Sequence, residues 1–340
     1  MTVYPLPLQQ GDLIGVTSPS SGVTSEYEWQ LQNAVSQLSE LGYEVTFTKS
    51  VRGNNKLRST TARERAIEFT QLYNNSQVKA IIPSGGGEFL MEILPYLNFK
   101  ELIEPKWILG YSDISTLLLP FTLNTGFASV SGPVFMDFGY TPVDRSLMNA
   151  LKVLNLKKDE HFSQKSYSLF QNNRINFNNT DIPMLNLTES VLWKSLEKKE
   201  YLTFEGRIIG GCMDTVCKLI GTPFLPIRDF IEKYKQEGII WYFDSCDMNA
   251  ADIYRTLWQM KYNGWFQFCQ GILIGRPEGY SDVFDFTFFD ALSDALSSLD
   301  VPVIYDVDIG HKPPQMSIIN GCYTKVEFVK GEGLIKQFLI

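Results

Sequence analysis

Histidine is nearly absent: the 340 residues contain two, His161 and His311. Metal ligation and proton transfer near neutral pH draw heavily on this residue, so its scarcity narrows the chemistry at once. His161 lies in the polar stretch Lys157-Lys-Asp-Glu-His161 and reads as a solvated side chain. His311 follows an apolar run in Asp306-Val-Asp-Ile-Gly-His311, on a loop where a structural histidine and a catalytic base are both at home. With one usable histidine and no paired spacing such as H-E-x-x-H, no metal is expected, although Asp306 and Asp308 stand nearby. Cysteine is also sparse. Five residues form no even-numbered disulfide framework, and four sit in apolar or Gly-rich contexts, which predicts reduced thiols and a cytoplasmic compartment. No apolar run approaches the roughly 20 residues that cross a bilayer. The first residues lack a basic segment followed by an apolar core, so no signal peptide is expected. Lys plus Arg number 30 against 38 Asp plus Glu, a net charge of −8 without a basic cluster. Nucleic acid and membrane surfaces are therefore not expected partners.

What the chain has is a globular composition, 44% hydrophobic and 20% charged, and a length suited to two domains or one large one. Its first half alternates strands and helices. Apolar runs at 13–17, 45–47, 80–82 and 107–110 predict strands. Between them Leu31, Ala34, Leu38 and Leu41 mark a helical stripe, and Thr61-Ala-Arg-Glu64 fits a capping box. A further helix is predicted over 90–97. This alternation predicts an α/β fold with a mostly parallel sheet flanked by helices. Polar, turn-rich residues suggest a linker, giving an N-terminal domain at 1–150, a linker region at 151–199 and a smaller C-terminal α/β domain at 200–340. Strands are predicted there at 239–243, 271–274, 301–305, 325–329 and 334–339. A helix between Asn249 and Lys261 shows Ile253, Leu257 and Met260 on one face, with Asp247 as its predicted N-cap. Tyr254, Trp258 and Trp265 are expected in the core.

Besides His311, three positions carry candidate chemistry. Ser112, in Gly110-Tyr-Ser-Asp113, falls between an apolar strand and an apolar helix. A serine at such a corner is either lifted out of the sheet as a nucleophile or caps the helix; the full G-x-S-x-G signature is absent, because Ile114 replaces its second glycine. Gly85-Gly-Gly87 follows a strand but lacks the lysine and spacing of a phosphate loop, so no nucleotide cofactor is expected. The turn either meets a backbone need or brings N–H groups toward an oxyanion. Asp244 ends the apolar run Trp241-Tyr-Phe-Asp244, where it could orient a histidine.

Taken in order, these segments resemble the LD-carboxypeptidase family of serine peptidases, which includes muramoyltetrapeptide carboxypeptidases and microcin C immunity peptidases. The resemblance runs from Gly11-Asp-Leu-Ile-Gly-Val-Thr-Ser-Pro-Ser20 through Gly85-Gly-Gly-Glu-Phe-Leu-Met-Glu-Ile-Leu-Pro-Tyr96, Gly110-Tyr-Ser-Asp113 and Ser131-Gly-Pro133 to Glu205-Gly-Arg-Ile-Ile-Gly-Gly-Cys-Met-Asp214, Ile274-Gly-Arg276 and Gly310-His311. It implies a Ser–acid–His triad without metal or cofactor, with Ser112 as nucleophile and His311 as base. It also implies oxyanion donors at the backbone of Gly86 and Asp113, an N-terminal sheet like that of class I glutamine amidotransferases, and a homodimer. The implied substrate is a small peptide or peptide-like molecule: a murein tetrapeptide, or a peptidyl-nucleotide antibiotic that the enzyme would detoxify. A catalytically weak binding protein on the same scaffold is the rival expectation. One departure stands out. The family places glutamate where this chain has Asp244, a carboxylate shorter by one carbon, about 1.5 Å of reach. A misplacement of that size costs on the order of 100-fold in rate.

Overall fold

The computed structural model describes residues 1–172 and 184–340. Its first half lays down β1 (Leu13–Val16), α1 (Glu28–Glu40), β2 (Glu44–Phe47), α2 (Ala62–Asn74) and β3 (Val78–Ile81). Then follow β4 (Trp107–Gly110), α3 (Ser115–Thr125), β5 (Ser129–Ser131) and α4 (Arg145–Leu154). Strands β5-β4-β3-β1-β2 are parallel neighbours. Central β4 is buried along its whole length, as its apolar run requires of a strand covered on both faces. The Thr61–Glu64 capping box forms at the start of α2. The helix predicted over 90–97 is instead a 3-10 helix, Leu90–Tyr96, containing Pro95, whose ring disfavours continuous α-helix.

The stretch 151–199, expected to be a linker, contributes strands at both edges of a second sheet. These are β6 (His161–Lys165) and β9 (Lys194–Ser195), and a separate small pair, β7 (Leu169–Phe170) with β8 (Glu189–Ser190), lies between them. The second half adds β10 (Tyr201–Cys212), α5 (Met213–Val216), α6 (Ile227–Lys233), β11 (Ile239–Asp244), α7 (Ala250–Tyr262) and β12 (Cys269–Gly275). It ends with α8 (Phe288–Leu296), β13 (Val303–Val307), β14 (Ile318–Asn320), β15 (Tyr323–Val329) and β16 (Glu332–Phe338). The second sheet runs β6-β16-β15-β10-β11-β12-β13-β9. Strands β10 to β13 are parallel and give the sheet a fully buried centre; β15 and β16 are antiparallel and alternate buried with half-exposed residues.

The halves interlock. Strand β14, from near the end of the chain, pairs antiparallel with β5 and completes the first sheet as its sixth strand. Asn320 in β14 fastens the join: its Nδ2 donates to Ser129 Oγ (3.2 Å), while its Oδ1 accepts from the Tyr242 hydroxyl (2.9 Å) and the Gly210 amide (3.3 Å). Near the site, the Cys212 amide donates to Ser115 Oγ at 3.1 Å, tying the end of β10 to the start of α3. No helix among the described residues is long and apolar enough to cross a membrane.

Three expectations from α7 are corrected or sharpened. Asn249, not Asp247, caps the helix, accepting from the Asp252 amide at 3.0 Å. Asp247 is held two residues earlier, its amide donating to Asp214. Trp265 is fully buried, but Trp258 is 49% exposed, because it follows inward-facing Leu257 and a helix turns about 100° per residue.

Candidate active site

Ser112 sits at the corner between β4 and the helical turn that leads into α3. Its φ is +61°, a left-handed conformation that few non-glycine residues adopt and that strand-to-helix nucleophile corners use. A Cβ on Gly86 would lie 2.9 Å from both Cβ and Oγ of Ser112, so the 85–87 turn approaches this closely only as glycine. The Asp113 amide nitrogen lies 3.6 Å from that same point. The backbones of Gly86 and Asp113 therefore converge around Ser112.

The Asp113 side chain braces the corner. It is buried and accepts from Ser20 Oγ (2.5 Å), the Leu90 amide (2.9 Å) and Thr116 Oγ1 (3.1 Å). Burial pushes its carboxyl above the usual range against the pull of those hydrogen bonds. Arg65, also fully buried, donates to the carbonyls of Pro19 (2.8 Å) and Phe89 (3.1 Å) and to Glu92 (2.6 Å). It thus fixes the two segments whose next residues, Ser20 and Leu90, hold Asp113. The sequence offers one signal for Arg65 that went unused: it falls three residues after Ala62 and four before Phe69, a charge within the apolar face of α2.

The second half supplies the remaining groups from the carboxyl ends of its parallel strands, where such sheets gather ligands. Asp244 ends β11 and His311 follows β13. His311 Nδ1 and Asp244 Oδ2 are 2.8 Å apart, both residues buried. The backbone closes in around the short Asp244 side chain. Gly310, at φ +94°, comes so near that a Cβ there would lie 2.4 Å from Asp244 Cβ and 2.5 Å from its Oδ2. Gly275 crowds the other side, its notional Cβ 3.1 Å from Asp244 Cβ. The histidine loop is thereby pressed onto the short acid.

With Nδ1 bonded to the carboxylate, Nε2 is the free nitrogen; it is buried and has no hydrogen-bond partner among the described residues. The His311 ring lies against Tyr111, ring centres 5.0 Å apart, next to Ser112 in sequence. No Ser112–His311 hydrogen bond is formed in this structure. Burial alone would lower the His311 pKa, but the Asp244 hydrogen bond and the neighbouring Cys246 outweigh it and raise it to about 10. A small cavity of about 60 Å³ beside His311 is lined by Tyr111, Asp137, Tyr140, Gln171 and Gln315. A wider cleft of about 670 Å³ includes Lys312, Lys194 and Arg276.

The other candidates fall elsewhere. Asp306 pairs with Lys194 (2.8 Å) and Asp308 with Arg276 (2.6 Å), so both are committed to cations. His161 is exposed on β6. All five cysteines are unbridged, and four are buried. One grouping was not foreseen: Cys212, Asp244 and His311 bring a sulphur, a carboxylate oxygen and a ring nitrogen within 4.8 Å of one another.

A two-sheet α/β fold with a strained serine at a strand end, converging backbone around it and a buried acid–imidazole pair has the equipment of a serine hydrolase. Comparison with known proteins narrows this. The sequence profile of the LD-carboxypeptidase N-terminal domain matches residues 14–132, and that of the C-terminal domain matches residues 205–326. The chain belongs to the LD-carboxypeptidase family and is a serine carboxypeptidase-type hydrolase. The microcin C7 self-immunity protein MccF of Escherichia coli is 26% identical over 348 residues, spanning 98% of this chain and 96% of its own. A Bacillus subtilis protein named "Probable murein peptide carboxypeptidase" is 25% identical over 338 residues, spanning 98% and 94%. The structure of MccF in complex with aspartyl sulfamoyl adenosine superposes with a TM-score of 0.85 at 25% identity, covering 99% of each chain.

Proposed function

We propose that this protein hydrolyses an amide near the carboxyl end of a small peptide or peptide-like substrate through a Ser112–His311–Asp244 triad. Ser112 Oγ attacks the carbonyl while His311 Nε2 takes its proton; the same proton then goes to the leaving amine, and water releases the acyl group by the reverse route. Asp244 holds the ring with Nε2 free and stabilises the imidazolium. The amides of Gly86 and Asp113 receive the developing oxyanion. The observation that carries this reading is the buried 2.8 Å Asp244–His311 contact, with Nε2 left without a partner. The absence of a serine–histidine bond is compatible with it, because such bonds commonly tighten only once substrate is bound.

The substrate of first choice is a murein tetrapeptide that loses its terminal D-alanine. The likeness to MccF, and to its complex with an aminoacyl nucleoside analogue, favours a second: a peptidyl-nucleotide antibiotic, with detoxification as the outcome. The reading also takes residues 1–150 as a nucleophile domain of the class I glutamine amidotransferase kind, and 200–340 as the domain that supplies acid and histidine. It assigns a cytoplasmic homodimer that needs no metal or cofactor. Mass spectrometry of products from a panel of muropeptides and aminoacyl sulfamoyl nucleosides identifies the substrate. A fluorophosphonate probe should label Ser112. Specific binding of these ligands with no product and no adduct would replace this reading with that of a binding protein.

A further inference from the structure

We propose that Cys212, Asp244 and His311 form a binding site for a thiophilic divalent cation of the zinc class, and that its occupation switches off the hydrolase.

The topology brings the ligands together. Cys212 and Asp244 are register partners at the carboxyl ends of adjacent parallel strands β10 and β11, so their side chains leave the sheet on the same side. His311 arrives from the loop after β13. The sulphur, a carboxylate oxygen and a ring nitrogen lie within 4.8 Å of one another, all buried. Around a tetrahedral zinc, ligand atoms are about 3.5 Å apart, so a contraction on the order of 1 Å completes the site. Thiolate, imidazole and carboxylate form a donor set that suits zinc better than calcium or magnesium. Three protein ligands leave the fourth position for water.

Two further observations point to a cation. His311, 4% exposed, already holds its Nδ1 2.8 Å from Asp244 Oδ2, so ring nitrogen and carboxylate face each other before any metal arrives. Asp214 lies behind the sulphur, its Oδ2 3.4 Å from Cys212 Sγ, and the same carboxylate accepts from the Cys246 and Asp247 amides at 2.9 and 3.0 Å. It accepts the thiol proton, and that hydrogen bond ends when the metal displaces the proton, leaving a second carboxylate whose charge favours a cation beside the sulphur. No Lys or Arg side chain pairs with Asp244 or Asp214 among the described residues; the cation that faces Asp244 is the His311 ring itself, whose proton an entering metal replaces. On binding, the metal displaces the Cys212 thiol proton and any proton on the coordinating ring nitrogen to solvent. It also takes up the Asp244 carboxylate. The triad then loses its base and its orienting acid together.

The inhibition rests on the triad reading; the binding does not. In the full chain, Co²⁺ should give the near-ultraviolet thiolate-to-cobalt charge-transfer band, abolished in Cys212→Ser and retained in Cys246→Ser. Zn²⁺ should inhibit hydrolysis reversibly, with full recovery on EDTA. Each variant's rate is referred to its own EDTA-treated value. On that scale Cys212→Ser should need more than about 10-fold higher zinc for half inhibition, since loss of even an outer-sphere partner costs 10–100-fold in affinity. If the cobalt spectrum lacks the band, or the band follows Cys246, the site is overturned whatever the enzyme does. A band that follows Cys212, with zinc leaving the rate untouched, overturns the switch. If no substrate is turned over, the spectrum still decides the site.

Discussion

The short Asp244 carboxylate reaches His311 because two glycines let the backbone close in. Gly310 and Gly275 leave no room around Asp244 Cβ, so the site is built for the short acid. Asp244→Glu, which lengthens the proposed acid by one carbon, should therefore lower kcat, on the order of 100-fold for a displacement near 1 Å. A kcat equal to or above the parent's would show that the histidine loop yields. Asp244→Asn should lower kcat further, by roughly 10⁴-fold, the loss seen on neutralising the acid of a serine-protease triad, with the fold intact by circular dichroism. The acid also sets the pH response. His311 acts as a base only when neutral, and its pKa stands at about 10, so kcat/KM measured with a chelator present should climb from neutral pH toward that value. The Asp244 hydrogen bond is the largest of the influences raising it. An anion favours the imidazolium, so its loss lowers the pKa, and in Asp244→Asn the remaining activity should appear at lower pH. A profile that does not move would detach Asp244 from the base.

At the scale of elements, much was legible. Short apolar runs such as 239–243 and 271–274 became buried parallel strands, since they are too short for a helix and suit a strand covered on both faces, whereas the longer apolar run of α3 is a buried helix. The Ser112 corner was legible for the same reason: β4 ends on schedule and a helix begins. The short strands β6, β9 and β14 were not. Ile318–Asn320 has three residues and Lys194–Ser195 two; their pairing comes from distant partners, not from local pattern. Arg65 and Cys212 were missed as well, because their roles depend on what folds against them. The cap of α7 was misplaced between two good candidates two residues apart, and the Asp214 carboxylate decided it by holding the Asp247 amide outside the helix. Asn249→Ala should thus cost about 1 kcal/mol in denaturant unfolding with kcat unchanged. Asp247→Ala, which keeps its backbone donor but removes its side-chain acceptor, should cost almost nothing. A larger loss in the second variant would restore Asp247 as the capping group.

Taken whole, the molecule has two large sheets but no clean division between them. Apolar side chains of both halves pack in shared clusters: Ile108, Leu117 and Phe121 of the first lie with Trp241, Phe243 and Leu257 of the second. Strand β14, the Asn320 hydrogen bonds and the Cys212–Ser115 bond add polar ties. Calorimetry should accordingly show one cooperative unfolding transition for both sheets, with coincident loss of near- and far-ultraviolet dichroism. Two resolved transitions would mean that the shared core is weaker than its burial implies.

The placement of β14 also imposes an order on the protein's birth. Ribosomes deliver the nucleophile strand and its neighbour β5 early, yet the strand that pairs with β5 begins only at Ile318. At roughly 5–20 residues per second, the nascent chain spends on the order of 10–40 s with that edge unpaired. The acid and histidine emerge in the same late portion. On the proposed triad, a growing chain therefore carries Ser112 without His311 beside it until synthesis is nearly complete, and it must keep an open strand edge from finding other partners in the meantime.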